Sequence, residues 1–199
     1  MAFEEDGLHA LPAGKLASVV TYLEMTERPA PRDLPPRSDL SLRRVHRPEL
    51  AWYRRLYHTV GADWLWFSRL ELEEAALEAI ISDPAVELYA LEHEGADKGL
   101  LELDRRRPPD IELAFFGLMP ELIGGGAGRW LMTQAIDRAF ACRPRRFWVH
   151  TCTLDHPAAL DFYRRSGFRP YRRAIEVVED PRLRGVLGRD AAGQVPLIE

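Results

Sequence analysis

The sequence predicts an α/β (α+β) fold: a mixed central β-sheet flanked by helices on both faces, with an extra N-terminal strand. Three observations carry this expectation. Runs rich in β-branched and aromatic residues alternate with amphipathic stretches, the pattern of helices laid on a sheet. Two apolar runs flank Glu94-Gly95-Ala96-Asp97, a β-hairpin signal. Strand–helix–strand order then continues through the C-terminal half, which calls for parallel crossovers beside the hairpin.

Each element has its own signal. Lys15–Met25 (KLASVVTYLEM) is rich in β-branched residues and reads as a strand. Arg28–Arg37 (RPAPRDLPPR) holds four prolines and reads as an extended linker. LSLRRV (40–45) is a short strand, and Pro48 opens a helix that ends before Gly61. ADWLWFSRL (62–70) is an aromatic-rich connection. Leu72–Ile81 is a second helix, closed by Asp83-Pro84. VELYALEH and KGLLELDR are the hairpin strands, DIELAFFGLM a buried strand and RRFWVHTCT another. Between these last two, a helix starts near Gly126 or Ala127, with Leu131, Met132, Ala135, Ile136 and Ala139 on one face. Leu160–Ser166 forms a further helix and YRRAIEVV the closing strand. The expected organisation is an N-terminal extension with a strand and Pro-rich linker (1–37), a main domain (38–180) and a C-terminal tail (181–199).

Composition excludes several classes. At 199 residues one domain, or one with an appendage, is expected. No apolar run approaches the ~20 residues that span a bilayer. The N-terminal MAFEEDGLHALPAG is acidic and lacks the apolar core of a secretory signal. Cys142 and Cys152 form neither a disulfide framework nor a metal-ligand spacing, so a cytoplasmic protein with no metal and no membrane partner is expected. A net charge of −4 argues against nucleic acid as a partner. Monomer and homodimer both stay open, because the N-terminal strand has the length to pair with another subunit.

The charges are unevenly spread. From Asp63 to Glu94 stand nine acids against the single Arg69, and from Arg143 to Arg173 eight arginines against two aspartates. Solvated faces explain most such runs. The sharper reading is one surface suited to a cationic ligand and another to a polyanion.

Glu121–Trp130 (ELIGGGAGRW) places glycines at 124, 125, 126 and 128 directly before a strong helix. A helix's first turn has N–H groups without intrahelical partners and carries the positive end of its dipole. Glycines let an anion approach those groups closely, so strand, Gly-rich turn and helix form a phosphate cradle. A tight flexible turn is the equally weighted alternative. A Walker loop is a poor fit, because Arg129-Trp130 stands where Lys-Ser/Thr is needed. A dinucleotide fingerprint matches only in part and falls too late in the chain.

Residues 40–178 resemble the GNAT superfamily of acyl-CoA-dependent N-acyltransferases. IGGGAG supplies Gly126 and Gly128 at the two fixed positions of the pyrophosphate motif [Q/R]-x-x-G-x-[G/A], with Ile123 where Gln or Arg is usual. TLDHPAALDFYRRSGF resembles the later motif: Asp155 stands where Asn is common, and Ala159, Tyr163, Gly167 and Phe168 match. The resemblance implies two parallel strands, IELAFFGLM and RRFWVHTCT, splayed to admit acetyl-CoA as cosubstrate. It implies backbone contacts from Leu118 to pantetheine. It also implies a pyrophosphate site in the N–H groups of Gly124, Gly125, Gly126, Ala127, Gly128 and Arg129, with Asp155 in the cofactor set. The arginine-rich C-terminal half offers partners for the 3′-phosphate.

Acylating an amine requires a base to take its proton and an acid to neutralise the leaving thiolate. Tyr163 matches the family's usual acid, although it also shares a helical face with core positions. Glu112, six residues before Leu118 on the same strand, is the candidate base, directly or through a water. Burial among Ile111, Leu113 and Phe115 would raise its pKa toward neutrality. His150 and Cys152 read as a hydrogen-bonded His and a packed Cys rather than a nucleophile pair. Trp64, Trp66 and Phe67 read equally as a substrate lid and as core. The expected activity is acetyl transfer from acetyl-CoA to an amine acceptor, the acidic stretch favouring a cationic one. A non-catalytic acyl-CoA sensor is the alternative.

Overall fold

The computed structural model describes residues 6–31 and 33–199; Met1–Glu5, which open the acidic N-terminal segment, and Arg32 of the Pro-rich linker lie outside the described residues. In chain order the elements are β1 (Lys15–Met25), β2 (Leu40–Val45), α1 (Leu50–Gly61), α2 (Glu74–Ile81), β3 (Val86–His93) and β4 (Ala96–Asp104). β5 (Asp110–Leu118), α3 (Ala127–Ala141), β6 (Arg146–Cys152), α4 (Ala159–Arg165) and β7 (Arg169–Glu179) follow. The seven strands form one mixed sheet in the order β2-β3-β4-β5-β6-β1-β7. Only β5 and β6 run parallel; the other paired strands are antiparallel.

Helices cover both faces. On one, α3 and α4 bury Leu131, Met132, Ala135, Ile136, Ala139 and Tyr163 against Leu103, Ile111, Leu113 and Phe147 of the sheet. On the other, α1 and α2 bury Tyr53, Leu56, Tyr57, Val60, Leu77 and Ile81 against Leu88, Ala90 and Leu100. The α1 set falls at i, i+3, i+4 and i+7, one helical face. Each such side chain, fully buried, contributes roughly 1.5–3 kcal/mol of transfer free energy.

The N-terminal strand takes a position that its place in the chain does not suggest. β1 lies inside the sheet, antiparallel to β6 on one side and β7 on the other. Its side chains explain why: Leu16 and Val20 are buried on one face, Leu23 and Met25 on the other, and apolar residues on both faces suit an interior strand. β7, with Pro170 and three arginines, is exposed along most of its length and forms the edge. Charges and proline are the usual protection of a free edge.

With β1 inside the sheet, the Pro-rich linker must cross to β2 at the far edge. Arg28 pairs with Asp137 of α3 at 2.5 Å, and Arg37 reaches the carbonyl of Gly125 at 2.8 Å. The segment after β7 folds back: Leu187 and Ala192 pack with Leu16 of β1 and Leu65 of the α1–α2 connection. A buried bidentate pair, Arg182 to Asp180 at 2.7 and 3.0 Å, anchors this segment. Among the described residues no helix is long and apolar enough to cross a membrane.

Candidate active site

β5 and β6 hydrogen-bond only at their first residues, pairing Asp110 with Arg146, Ile111 with Phe147 and Glu112 with Trp148. Beyond Glu112 the strands part, and a cleft of about 1370 Å³ opens between them. A bulge at Ala114 shapes it: Leu103 pairs with Leu113, and the next register pair is Glu102 with Phe115. The extra residue shifts the side-chain alternation. Phe115 packs on Tyr57 and Trp66 on one face, and Phe116 on Phe162 and Tyr163 on the other. Gly117 marks a close approach: a Cβ there would collide with Val60 and stand 3.0 Å from Trp66 Cη2.

One end of the cleft is the glycine loop. Gly126 takes φ +87° as the residue preceding α3, a left-handed conformation that glycine adopts without penalty. Gly126 has no side chain to cap the helix, and among the described residues no side chain bonds its first N–H groups. Cβ atoms placed on Gly124 or Gly125 would meet nothing within 4 Å, so the loop borders open space. Two guanidinium groups flank it: Arg129 Nη2 and Arg37 Nη1 stand 3.5 and 3.6 Å from the Cβ position of Gly126. Arg37 is held by a bidentate pair with Asp39 at 2.8 and 2.7 Å. Leu118 lines the cleft where β5 ends, and Arg165 of α4 lines it as well. The residues present therefore fit a pyrophosphate: aligned N–H groups, an approach free of Cβ atoms and two adjacent cations.

Tyr163 lies on α4 and packs on Phe116 of β5, beyond the last paired residue of that strand. It is only 7% exposed, in edge contact with Phe116, Phe162 and Phe168, yet it borders the cleft. Burial first, and the Asp155 charge second, push its phenol pKa well up, so it stays protonated. Asp155, expected in the cofactor set, accepts from Thr151 Oγ1 at 2.6 Å, the Cys152 N–H at 2.9 Å and Trp66 Nε1 at 3.3 Å. Its carboxylate ties the end of β6 to the α1–α2 connection. Burial pushes the Cys152 thiol up, away from nucleophilic use.

Glu112 and His150 form one unit. Glu112 is only partly buried and does not border the cleft, whereas His150, with 47% of its side chain exposed, does. His150 Nδ1 lies 3.7 Å from Glu112 Oε1. The carboxylate raises the imidazole pKa above its ordinary value, and burial opposes the shift. The Ala114 bulge also separates Glu112 from Leu118: Leu118 belongs to the α3 side, while the partner of Glu112, His150, stacks near Tyr22 and Trp148 on the opposite face.

Part of the charge in the two runs pairs away from the cleft. None of the nine acids between Asp63 and Glu94 borders the cleft. Glu71 pairs with Arg184, Glu87 with Arg105 at 3.1 Å, and Glu92 with Arg43 at 2.6 Å. Arg145 and Arg146 both bind Asp110, at 2.8 and 2.9 Å. Among the described residues no group of three or more His, Cys, Asp and Glu side chains is placed to hold a metal ion.

A sequence profile described as the Acetyltransferase (GNAT) family matches residues 50–168, more than half of the chain. The chain belongs to the GNAT acetyltransferase family. Solved structures agree on the fold of this GNAT protein. A GCN5-related N-acetyltransferase from Sphaerobacter thermophilus superposes with a TM-score of 0.58 at 15% identity, over 82% of this chain and 52% of its own. A putative GNAT-family acetyltransferase from Novosphingobium aromaticivorans gives 0.56 at 16%, over 85% and 68%. A GNAT-family acetyltransferase from Elizabethkingia anophelis, solved with acetyl-CoA bound, gives 0.52 at 14%, over 68% and 80%. The chain thus spans about half of the first protein and about two thirds of the second. No curated protein matches the chain.

Proposed function

We propose that this GNAT protein transfers an acetyl group from acetyl-CoA directly to an amine. The observation that carries the reading is that Tyr163 and His150 both border one cleft, opened by the parting of β5 and β6, with the glycine loop at its end. Gly124–Arg129 and the Arg37 guanidinium would hold the pyrophosphate, Arg165 on the cleft wall would pair with the remaining phosphate, and the Leu118 backbone would align the pantetheine arm. When bound, acetyl-CoA supplies the acetyl group as an activated thioester. His150 is the base: Glu112 occupies the side of its Nδ1, leaving Nε2 to take the amine's proton. Tyr163 Oη, held protonated, gives a proton to the departing sulfur. Glu112 is thus a positioning residue, one step behind the base.

Release of CoA from acetyl-CoA, followed with a thiol reagent across a panel of amines, tests the reading. Amine-dependent CoA release with stoichiometric N-acetyl product is the expected result. Tight acetyl-CoA binding with no release on any amine would overturn it in favour of a sensor.

A further inference from the structure

The end of the cleft away from the glycine loop is walled by aromatic rings. Trp64, Trp66 and Phe67 come from the α1–α2 connection, and Phe115 and Tyr22 from the sheet; all five are part-exposed toward the space they border. Most of these rings are held in place by others. Trp66 lies 5.3 Å from Phe115, Tyr22 5.7 Å from the His150 ring, and Trp64 5.0 Å from His156. Part-exposed rings in a concave site offer faces and edges on which a flat ligand can stack.

Charge at this end is sparse. Asp155 and Glu176 are the carboxylates that border the cleft, and Asp155 already accepts three hydrogen bonds. The Glu176 side chain makes no ion pair or hydrogen bond among the described residues, and its charge acts on His150. One uncommitted carboxylate beside the base matches a single ammonium. A ligand with several separated positive charges would find no further uncommitted carboxylate on the cleft wall.

We propose that the acceptor is a primary amine with one positive charge on a flat aromatic body, and not a polyamine or a lysine side chain. The proposal rests on the acetyltransferase reading and names the acceptor of that same site. The apolar walls serve the chemistry too, because removing an ammonium from water favours its neutral, nucleophilic form. As the new C–N bond to the acetyl carbon forms, the C–S bond breaks. The nitrogen's proton passes to His150 Nε2, the sulfur takes one from Tyr163 Oη, and solvent resets both groups.

Calorimetric titration of tryptamine, spermidine and Nα-acetyl-lysine methylamide into the full chain, with and without CoA, tests the acceptor class independently of turnover. Tryptamine should bind at least tenfold more tightly than the other two, and its kcat/KM should exceed theirs by a similar factor. Trp64→Ala should erase most of that margin and Trp64→Phe should restore it. Equal or tighter binding of spermidine or the lysine derivative would overturn the proposal. Selective tryptamine binding without CoA release on any amine would instead overturn the acetyltransferase reading and leave the aromatic pocket standing.

Discussion

At the glycine-loop end of the cleft a ligand meets mostly backbone, and at the other end it meets side chains. The loop end consists of helix N–H groups exposed by residues 124–128, and its two cations, Arg37 and Arg129, stand beside that backbone. The aromatic end consists of rings from three separate segments, α1–α2, β5 and β1, around a histidine. A backbone cradle recognises a group common to every acyl-CoA and is set by a short local segment. A side-chain wall can select one shape of ligand over another and depends on long-range packing. Tyr163 borders the same cleft, packed on Phe116, Phe162 and Phe168, and as the proposed acid it should show the largest response to change.

Tyr163→Phe removes the phenol but keeps the ring that packs on Phe116, Phe162 and Phe168. General acid catalysis contributes about 10²–10⁴-fold, so kcat should fall by at least about 10²-fold. CoA affinity, measured by calorimetry, should stay within about twofold. A variant with wild-type turnover would remove Tyr163 from the mechanism. The next effect lies at the loop end. A Cβ on Gly126 meets only ordinary contacts, so its cost is the left-handed backbone, about 1–2 kcal/mol. Gly126→Ala should therefore distort the loop and weaken CoA binding about tenfold. Gly125→Ala, where φ is not positive, should spare the fold and weaken CoA only through the methyl group in the approach. Equal effects at the two positions would show that the left-handed turn is irrelevant to binding.

Arg37→Ala should be milder. It deletes one cation beside the loop together with its bond to the Gly125 carbonyl, and a several-fold rise in the CoA dissociation constant is expected. The loss should shrink in high salt, as it does for a part-exposed charge. An unchanged dissociation constant at low salt would reduce Arg37 to a brace for the linker.

This contrast also accounts for what could be read from the residues alone. The glycine loop, the helix after it and the Ala159–Phe168 segment are local patterns, and their elements lie where their periodicity puts them. The long-range features left no such mark. Arg37 stands 88 positions from Gly125 in a segment that reads as a linker. β1 shows its interior position only through apolar residues on both faces, and nothing in that pattern says which neighbours it takes. Within the acidic stretch Glu71, Glu87 and Glu92 pair with Arg184, Arg105 and Arg43, partners from other parts of the chain that the run itself does not reveal. The bulge at Ala114 changed most. With strict alternation Glu112 and Leu118 would share a face. The bulge separates them, and His150 rather than Glu112 reaches the cleft.

The Glu112–His150 pair predicts the smallest and most diagnostic effect. Glu112 raises the His150 pKa, so the imidazole keeps its proton, and cannot act as a base, up to a higher pH than a free histidine. In the pH profile of kcat/KM, activity should rise as this proton leaves. Glu112→Gln removes the negative charge but preserves shape, so His150 should lose its proton earlier and the acidic limb should move to lower pH. The plateau at higher pH should fall only modestly, because the neutral amide still occupies the Nδ1 side of the ring. His150→Gln should remove the limb and lower the plateau together. A limb that stays in place in Glu112→Gln would break the link between the two side chains. A limb that persists in His150→Gln would return the role of base to another group in the cleft.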